Sequence, residues 1–411
     1  MSHLNRRRIS RRTFLSASAT TIGTLAIVPP KILGAPDHVP PSETRGGALI
    51  GVGGRGPMTY GELTKDLNVQ RIAQCDVKWV GQSDNKTMYT DFRRLLDRRD
   101  IDLVAIATPP HWHALIAIAA AEAGKDVLSE KPMTRTMSEG RAVANAFKRY
   151  NRVFQIGTFG RFGMAGNKDN VQTRKLMTSG LMKDCKGTLV RRGGFKVKEW
   201  SGRLDVPLGT IPKSLDWDMY CGPSPLKPFV WPRHGGTHRW YWDYENGGLG
   251  DMGQHAMDPV AWLYGLDTTF PIEIEASAPP AHPEVTGMWA WSKLKYANGF
   301  TLVLESGEWG EPSGLKSVPV KATDLNDADQ QKLKEMPEPE PLLTFAQAVT
   351  QRKQAGGNAE AAYRTVAILH LTNIAIRTGR KIHFDPIKEE IIGDPEAQRL
   401  ANQPMRAPWH L

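Results

Sequence analysis

The sequence predicts an α/β protein in two parts. The first, to about residue 160, is a doubly wound parallel sheet; the second is an α+β domain with a large open, mainly antiparallel sheet. Three observations carry this prediction. Residues 48–56 run from an apolar strand into a Gly-x-Gly-x-x-Gly loop. Residues 101–132 read strand, turn, helix and strand, with the continuous apolar run 103–107 that marks a buried parallel strand. Beyond residue 160, extended stretches at 189–197, 272–277, 288–296 and 300–305 follow one another, and Ala297-Asn298-Gly299 supplies a hairpin turn.

The chain of 411 residues is long enough for two cores plus appendages. Residues 1–35 read as an address. Ile9-Ser10-Arg11-Arg12-Thr13-Phe14-Leu15 is a twin-arginine pattern, residues 17–28 are mildly apolar, and Leu33-Gly34-Ala35 is a cleavage point. The expectation is a periplasmic or otherwise exported protein handled by the twin-arginine export machinery, which carries folded proteins. The apolar run falls short of the about 20 residues that a stable membrane span needs. Removing the six basic residues of this leader lowers the formal charge from +10 to +4. No basic stripe interleaved with aromatics is left, which argues against nucleic acid as a partner. Cys75, Cys185 and Cys221 form neither a metal pattern nor a disulfide framework.

Residues 36–45 are a Pro-rich linker. In the loop that follows, Gly51, Gly53 and Gly56 let the turn be tight and the backbone approach a pyrophosphate, while the next helix offers free amides. The strand at 69–73 closes on Asp76, twenty residues past Gly56. An acid there bonds a ribose 2′-hydroxyl and repels a 2′-phosphate, so NAD is expected, with NADP as the alternative. Helices at 89–99, 113–122 and 137–150 alternate with strands at 103–107, 127–128 and 153–157. Ligands bind off the carboxyl ends of such strands, so Thr108, Pro109, His113, Glu130 and Lys131 are candidate cofactor neighbours. Residues 312–341 are polar and proline-punctuated, a surface excursion; residues 343–354 and 359–377 are helical, and 386–411 is a tail.

Two further clusters bear on chemistry. Residues 247–263 read as one helix with Asp251 and His255 one turn apart on a single face. A histidine near neutral pH accepts a hydroxyl proton and a nearby carboxylate orients it, although the same pair equally suits an N-capping Asp and an interface His. Residues 231–244 mix aromatics with His and Arg, as a sugar site does; His238, Arg239, Trp240 and, upstream, Arg161 are the candidate substrate contacts. No third ligand at a diagnostic spacing supports a metal.

Together, the glycine loop, Ala107-Thr108-Pro109-Pro110-His111-Trp112-His113, Ser129-Glu130-Lys131-Pro132 and Gly250-Asp251-Met252-Gly253-Gln254-His255 resemble the Gfo/Idh/MocA oxidoreductases. The resemblance implies a Rossmann domain at 46–160 holding a nicotinamide cofactor. It also implies a domain at 161–385 for substrate and oligomerisation, with a homo-oligomer as the expected assembly. Lys131, Asp251 and His255 match the family's active-site positions. The expected chemistry is hydride transfer to or from a ring carbon of a sugar or glycoside. His255 takes the hydroxyl proton, Lys131 polarises the oxygen, and Asp251 holds substrate and tunes His255. Export makes a recycled, tightly bound cofactor the natural arrangement, and an oxidation–elimination–reduction glycosidase is the alternative. A non-catalytic sugar-binding protein on the same fold is the third reading.

Overall fold

The computed structural model describes residues 44–411; the expected twin-arginine signal and most of the expected linker lie outside the described residues. The first sheet holds β1 (Arg45–Ile50), β2 (Val69–Cys75), β3 (Met88–Tyr89), β4 (Leu103–Ile106), β5 (Asp126–Ser129) and β6 (Phe154–Ile156), in the parallel order β3-β2-β1-β4-β5-β6. Strands β4 and β5 are buried at every residue; in β4 this follows from its unbroken apolar run with both faces covered, whereas in β5 the buried Asp126 at the strand start is paired with Arg352 at 2.6 Å. Between them come α1 (Gly56–Thr64), α2 (Phe92–Leu96), α3 (His113–Glu122) and α4 (Met137–Arg149). The first is preceded by the glycine loop. The fourth opens with a capping box, in which Thr136 accepts from the Glu139 amide and Glu139 reaches back to the cap.

The chain then crosses into α5 (Gly160–Ala165) and α6 (Lys168–Thr178). The second sheet is built from β7 (Thr188–Arg192), β8 (Glu273–Ser277), β9 (Trp291–Lys295), β10 (Thr301–Glu305), β11 (Ile382–Asp385) and β12 (Glu390–Ile391). Its order is β12-β11-β8-β9-β10-β7. All pairs are antiparallel except β7 with β10, and the Ala297-Asn298-Gly299 turn joins β9 to β10 as expected. Between β7 and β8 run α7 (Trp217–Cys221), α8 (Gly247–Asp251) and α9 (Gly253–Leu263).

Residues 312–341 are more ordered than a polar excursion: they contain α10 (Asp327–Glu335), capped by Asn326, and Val318 bridges Thr188 beside β7. The chain then returns to the first sheet. In α11 (Phe345–Gln351), Phe345, Ala348 and Val349 share one buried cluster with Leu49 of β1, Leu103 of β4 and Leu128 of β5. The long α12 (Ala359–Thr378) ties the two layers together. Its Tyr363 ring lies where a Cβ on Gly140 of α4 would sit, and its Thr372 hydroxyl is 3.2 Å from Ser292 of β9. Asn358 caps its start and Gly379, left-handed at φ +63°, ends it. The last stretch, read as a tail, holds β12 and α13 (Pro395–Ala401). Beyond α13, Trp409 packs edge-on against Trp112 at 4.8 Å. Among the described residues no helix is long and apolar enough to cross a membrane.

Candidate active site

The carboxyl ends of β1, β2, β4 and β5 open into a cleft of about 600 Å³, closed from the other side by residues of α7, the 234–239 stretch and α9. Each glycine of the first loop has a different task. Gly51 is left-handed at φ +89°, and a Cβ there would stand 2.6 Å from the Ala107 carbonyl at the end of β4. A Cβ on Gly56 would meet the Gly51 oxygen at 2.2 Å, so that glycine lets α1 approach β1. Gly53 and Gly54 face open space in the cleft wall. Gly51→Ala combines backbone strain of about 1–3 kcal/mol with an overlap of about 1–3 kcal/mol. The expected result is a protein of lower melting temperature that purifies without dinucleotide, read by calorimetry and by mass spectrometry of the denatured supernatant.

Asp76, just past β2, lines the cleft; its Oδ2 accepts from the Val52 amide at 2.9 Å and Lys78 Nζ lies 3.7 Å away. Thr108 and Pro109 line the cleft at the end of β4. Glu130, 4% exposed, ties the loop ends together: its Oε1 accepts from Arg55 Nε at 2.7 Å and from Thr59 Oγ1 at 2.8 Å.

Lys131 projects from the end of β5 and donates to the Asp251 carbonyl at 2.8 Å and to Asp251 Oδ1 at 3.0 Å. Arg239 Nε donates to the same Oδ1 at 2.7 Å and sits 3.6 Å from Glu245 Oε2, which is 3.0 Å from His238 Nε2. Along one wall the cations Lys131 and Arg239 alternate with the carboxylates Asp251 and Glu245, and the chain of contacts ends on the His238 ring. Burial pushes the Asp251 carboxyl up. Lys131 and Arg239, by charge and hydrogen bonds, outweigh that and hold it below the usual carboxylate range. His255 lines the cleft with Lys131, and burial followed by the Lys131 charge lowers its pKa below the ordinary 6.5.

The sequence pattern described as "Oxidoreductase family, NAD-binding Rossmann fold" matches residues 48–158. Its companion, "Oxidoreductase family, C-terminal alpha/beta domain", matches residues 167–411. The chain belongs to the Gfo/Idh/MocA oxidoreductase family. It is similar to levoglucosan dehydrogenase of Pseudarthrobacter phenanthrenivorans, at 30% identity over 43% of this chain and 36% of that protein. It is also similar to a glycosyl hydrolase family 109 protein of Solibacter usitatus, at 32% over 22% of this chain and 25% of that protein. The chain thus spans about a third or less of the length of these curated relatives. Among solved structures, aldose-aldose oxidoreductase from Caulobacter crescentus aligns with a TM-score of 0.49 and 16% identity, covering 83% of this chain and 100% of that one.

The site fits the dinucleotide of a Gfo/Idh/MocA Rossmann domain. Gly53 and Gly54 leave the cradle clear of side chains, Asp76 lines the cleft beside the loop, and the buried Thr108 hydroxyl, on the cleft wall, has no hydrogen-bond partner within the protein. NAD would be held by the Gly53–Gly54 backbone, Asp76 and Thr108.

Other expectations are corrected. Arg161 is not a substrate contact: it is 1% exposed and locked by Asp258 at 2.8 Å and Asp267 at 3.1 Å, away from the cleft. Trp240 turns its indole to the Glu199 carbonyl at 3.1 Å and does not line the cleft, whereas His238 and Arg239 do. His113 is buried beneath the site, its ring nitrogens 2.8 Å from the Pro132 oxygen and 2.7 Å from the Thr108 oxygen. It staples the two cofactor-facing loops rather than touching a ligand. Gly56 likewise acts from behind the wall.

Asp251 and His255 do not share one helix. The glycine-rich run breaks at Met252, Asp251 ends α8, and His255 lies in the first turn of α9, where Pro259 cannot donate back to it. Asp251 is paired with Lys131 and Arg239. Sequence reasoning missed Arg55, His234 and Glu245. His234 stood inside the 231–244 cluster without being singled out, whereas Arg55 and Glu245 carried no local signal. Among the described residues no group of three or more His, Cys, Asp or Glu side chains is placed to hold a metal.

Proposed function

We propose that the protein transfers a hydride between tightly held NAD and a ring carbon of a sugar or glycoside. The observation that carries this is the convergence of Lys131 and His255 on the cleft that the glycine loop lines, with Lys131 anchored to Asp251. Bound NAD supplies the two-electron chemistry. His255 takes the proton of the substrate hydroxyl, since burial and Lys131 favour its neutral form at neutral pH. Lys131 holds its ammonium toward the oxygen on which negative charge develops. Asp251 fixes Lys131 and Arg239, so its part is to position the cation rather than to hold the substrate. His238 and Arg239 present donors to further hydroxyls.

The lowered His255 value sets the sign of the pH response. The neutral base persists down to its shifted pKa, so kcat/KM falls only as pH drops through a midpoint below 6.5. A pH profile of kcat/KM should show this acid limb, and His255→Ala should abolish it. A limb centred above 6.5 removes His255 as the base.

The twin-arginine leader supports action outside the cytoplasm, where the hydride must return within each cycle. Transfer between two sugars does so directly. Cleavage by oxidation, elimination and reduction is the second reading, favoured by the relatives named as family 109 glycosyl hydrolases. Incubating the purified protein with sugars and aryl glycosides, with no NAD added, separates the two. A product pair of one oxidised and one reduced sugar supports transfer, and aglycone release over many turnovers supports cleavage. Neither product, from protein that holds NAD, overturns the proposal.

A further inference from the structure

The rings beside the cleft form a continuous array that ends in solvent. Tyr220, in the cleft wall, stacks on Trp217 at 5.0 Å, Trp217 meets Phe229 edge-on at 5.0 Å, and Phe229 meets Trp231 edge-on at 5.2 Å. His234, which also lines the cleft, lies 5.2 Å from the Tyr220 ring and 6.3 Å from that of Trp231. Tyr220, Trp217 and Phe229 are buried, but Trp231 is 59% exposed. The segment carrying exposed Leu208 and Ile211 runs alongside: the Gly209 amide donates to the Phe229 oxygen at 2.9 Å, and a Cβ on Gly209 would lie 3.4 Å from the indole. The mouth of the cleft is therefore edged by an apolar shelf whose indole is braced from behind and free in front.

We propose that Trp231 is an outer subsite for a second sugar ring, so that the substrate is a disaccharide or larger glycoside with its reacting ring in the cleft and its neighbour on the indole. This rests on the sugar reading above. A pyranose presents an apolar C–H face that covers indole surface, while its rim of hydroxyls needs groups that both donate and accept. His234 is such a group, because burial lowers its pKa and favours the neutral ring. A Trp fixed by a T-shaped Phe keeps little freedom to lose on binding, which favours stacking. The shelf is continuous with the cleft through His234, as a two-ring ligand requires.

The test uses the full chain with its bound dinucleotide and measures affinity and ring-by-ring saturation transfer by NMR. The probes are matched pairs: glucose with cellobiose and with maltose, and galactose with lactose. In the wild type, at least one disaccharide should bind about tenfold more tightly than its monosaccharide, and its second ring should receive saturation from indole protons. Trp231→Ala should bring the ratio near one, and Trp231→Phe should restore most of it. Thermal melting checks that both variants fold, as expected for so exposed a side chain.

A preference that survives Trp231→Ala overturns the subsite and leaves the sugar reading standing. A wild type that holds NAD yet binds none of the sugars overturns both. A Trp231→Ala protein that shifts from dimer to monomer in light scattering, its sugar preference intact, assigns the shelf to a second copy of the chain and overturns the subsite.

Discussion

Lys131→Met should lower turnover by about 10³-fold while the protein still purifies with its dinucleotide. Removing one preorganised donor from a developing oxyanion typically costs about 10²–10³ in rate, and of the charges acting on His255 that of Lys131 lowers its pKa most. Methionine keeps the aliphatic stem and drops the charge. The change is tolerable to the fold because Asp251 keeps Arg239 at 2.7 Å, so no buried carboxylate is left bare. The dinucleotide should stay, since the glycine loop and the Arg55–Glu130 contact at 2.7 Å are untouched. Single-turnover absorbance of the reduced dinucleotide reads the chemical step, and mass spectrometry reads occupancy. Loss of both together would make Lys131 a structural residue. A second signature follows: without the ammonium, the lowering of the His255 pKa shrinks, and the acid limb should move toward higher pH.

Arg161→Met should be strongly destabilising, by about 3–5 kcal/mol, with KM for any sugar unaltered in the protein that remains folded. Arg161 is 1% exposed. Besides Asp258 and Asp267, its guanidinium reaches the Gly356 carbonyl at 2.9 Å, and its own amide donates to Asp258 at 2.9 Å. Methionine fills much of the volume but leaves two buried carboxylates, of which only Asp267 keeps another cation, Arg174 at 2.9 Å. Asp258 would be uncompensated. The double variant Arg161→Met/Asp258→Asn should therefore recover part of the loss, a coupling that a double-mutant cycle of melting curves measures directly. A raised KM with normal stability would return Arg161 to the substrate site.

These two residues mark where sequence reasoning reached and where it stopped. Lys131 was legible because a buried strand ends on it and ligands bind off such ends, a rule that needs only local pattern. The Gly51–Gly56 loop, five of the six parallel strands and the β9–β10 hairpin were legible for the same reason; the two-residue β3, Met88–Tyr89, was not, because residues 89–99 read as helix, which the structure confines to Phe92–Leu96. Arg161 was not, because its partners lie 97 and 106 residues away, and a basic side chain after a strand end reads alike whether it faces ligand or core. His113 failed in the same way: the Thr-Pro-Pro turn placed it near the cofactor loops, but only tertiary packing turned both ring nitrogens onto backbone oxygens beneath them. The Asp251/His255 pairing followed from helical spacing; what local pattern could not show is that Asp251 takes Lys131 and Arg239, from elsewhere in the fold, as its partners. Glu245 was missed because its role exists only through Arg239 and His238. The helix within 312–341 lay hidden between prolines, although Asn326 three residues before Asp329 is a capping signal.

The central claim is that a hydride passes between a sugar carbon and a dinucleotide lying against Lys131 and His255. The direct measurement is isotopic: mix the purified protein with a sugar deuterated at every ring carbon, quench within one turnover, and weigh the dinucleotide that is released. The account predicts reduced dinucleotide carrying one deuterium from the wild type and about 10³-fold less from Lys131→Met. A dinucleotide that stays unlabelled while sugar is converted would contradict it.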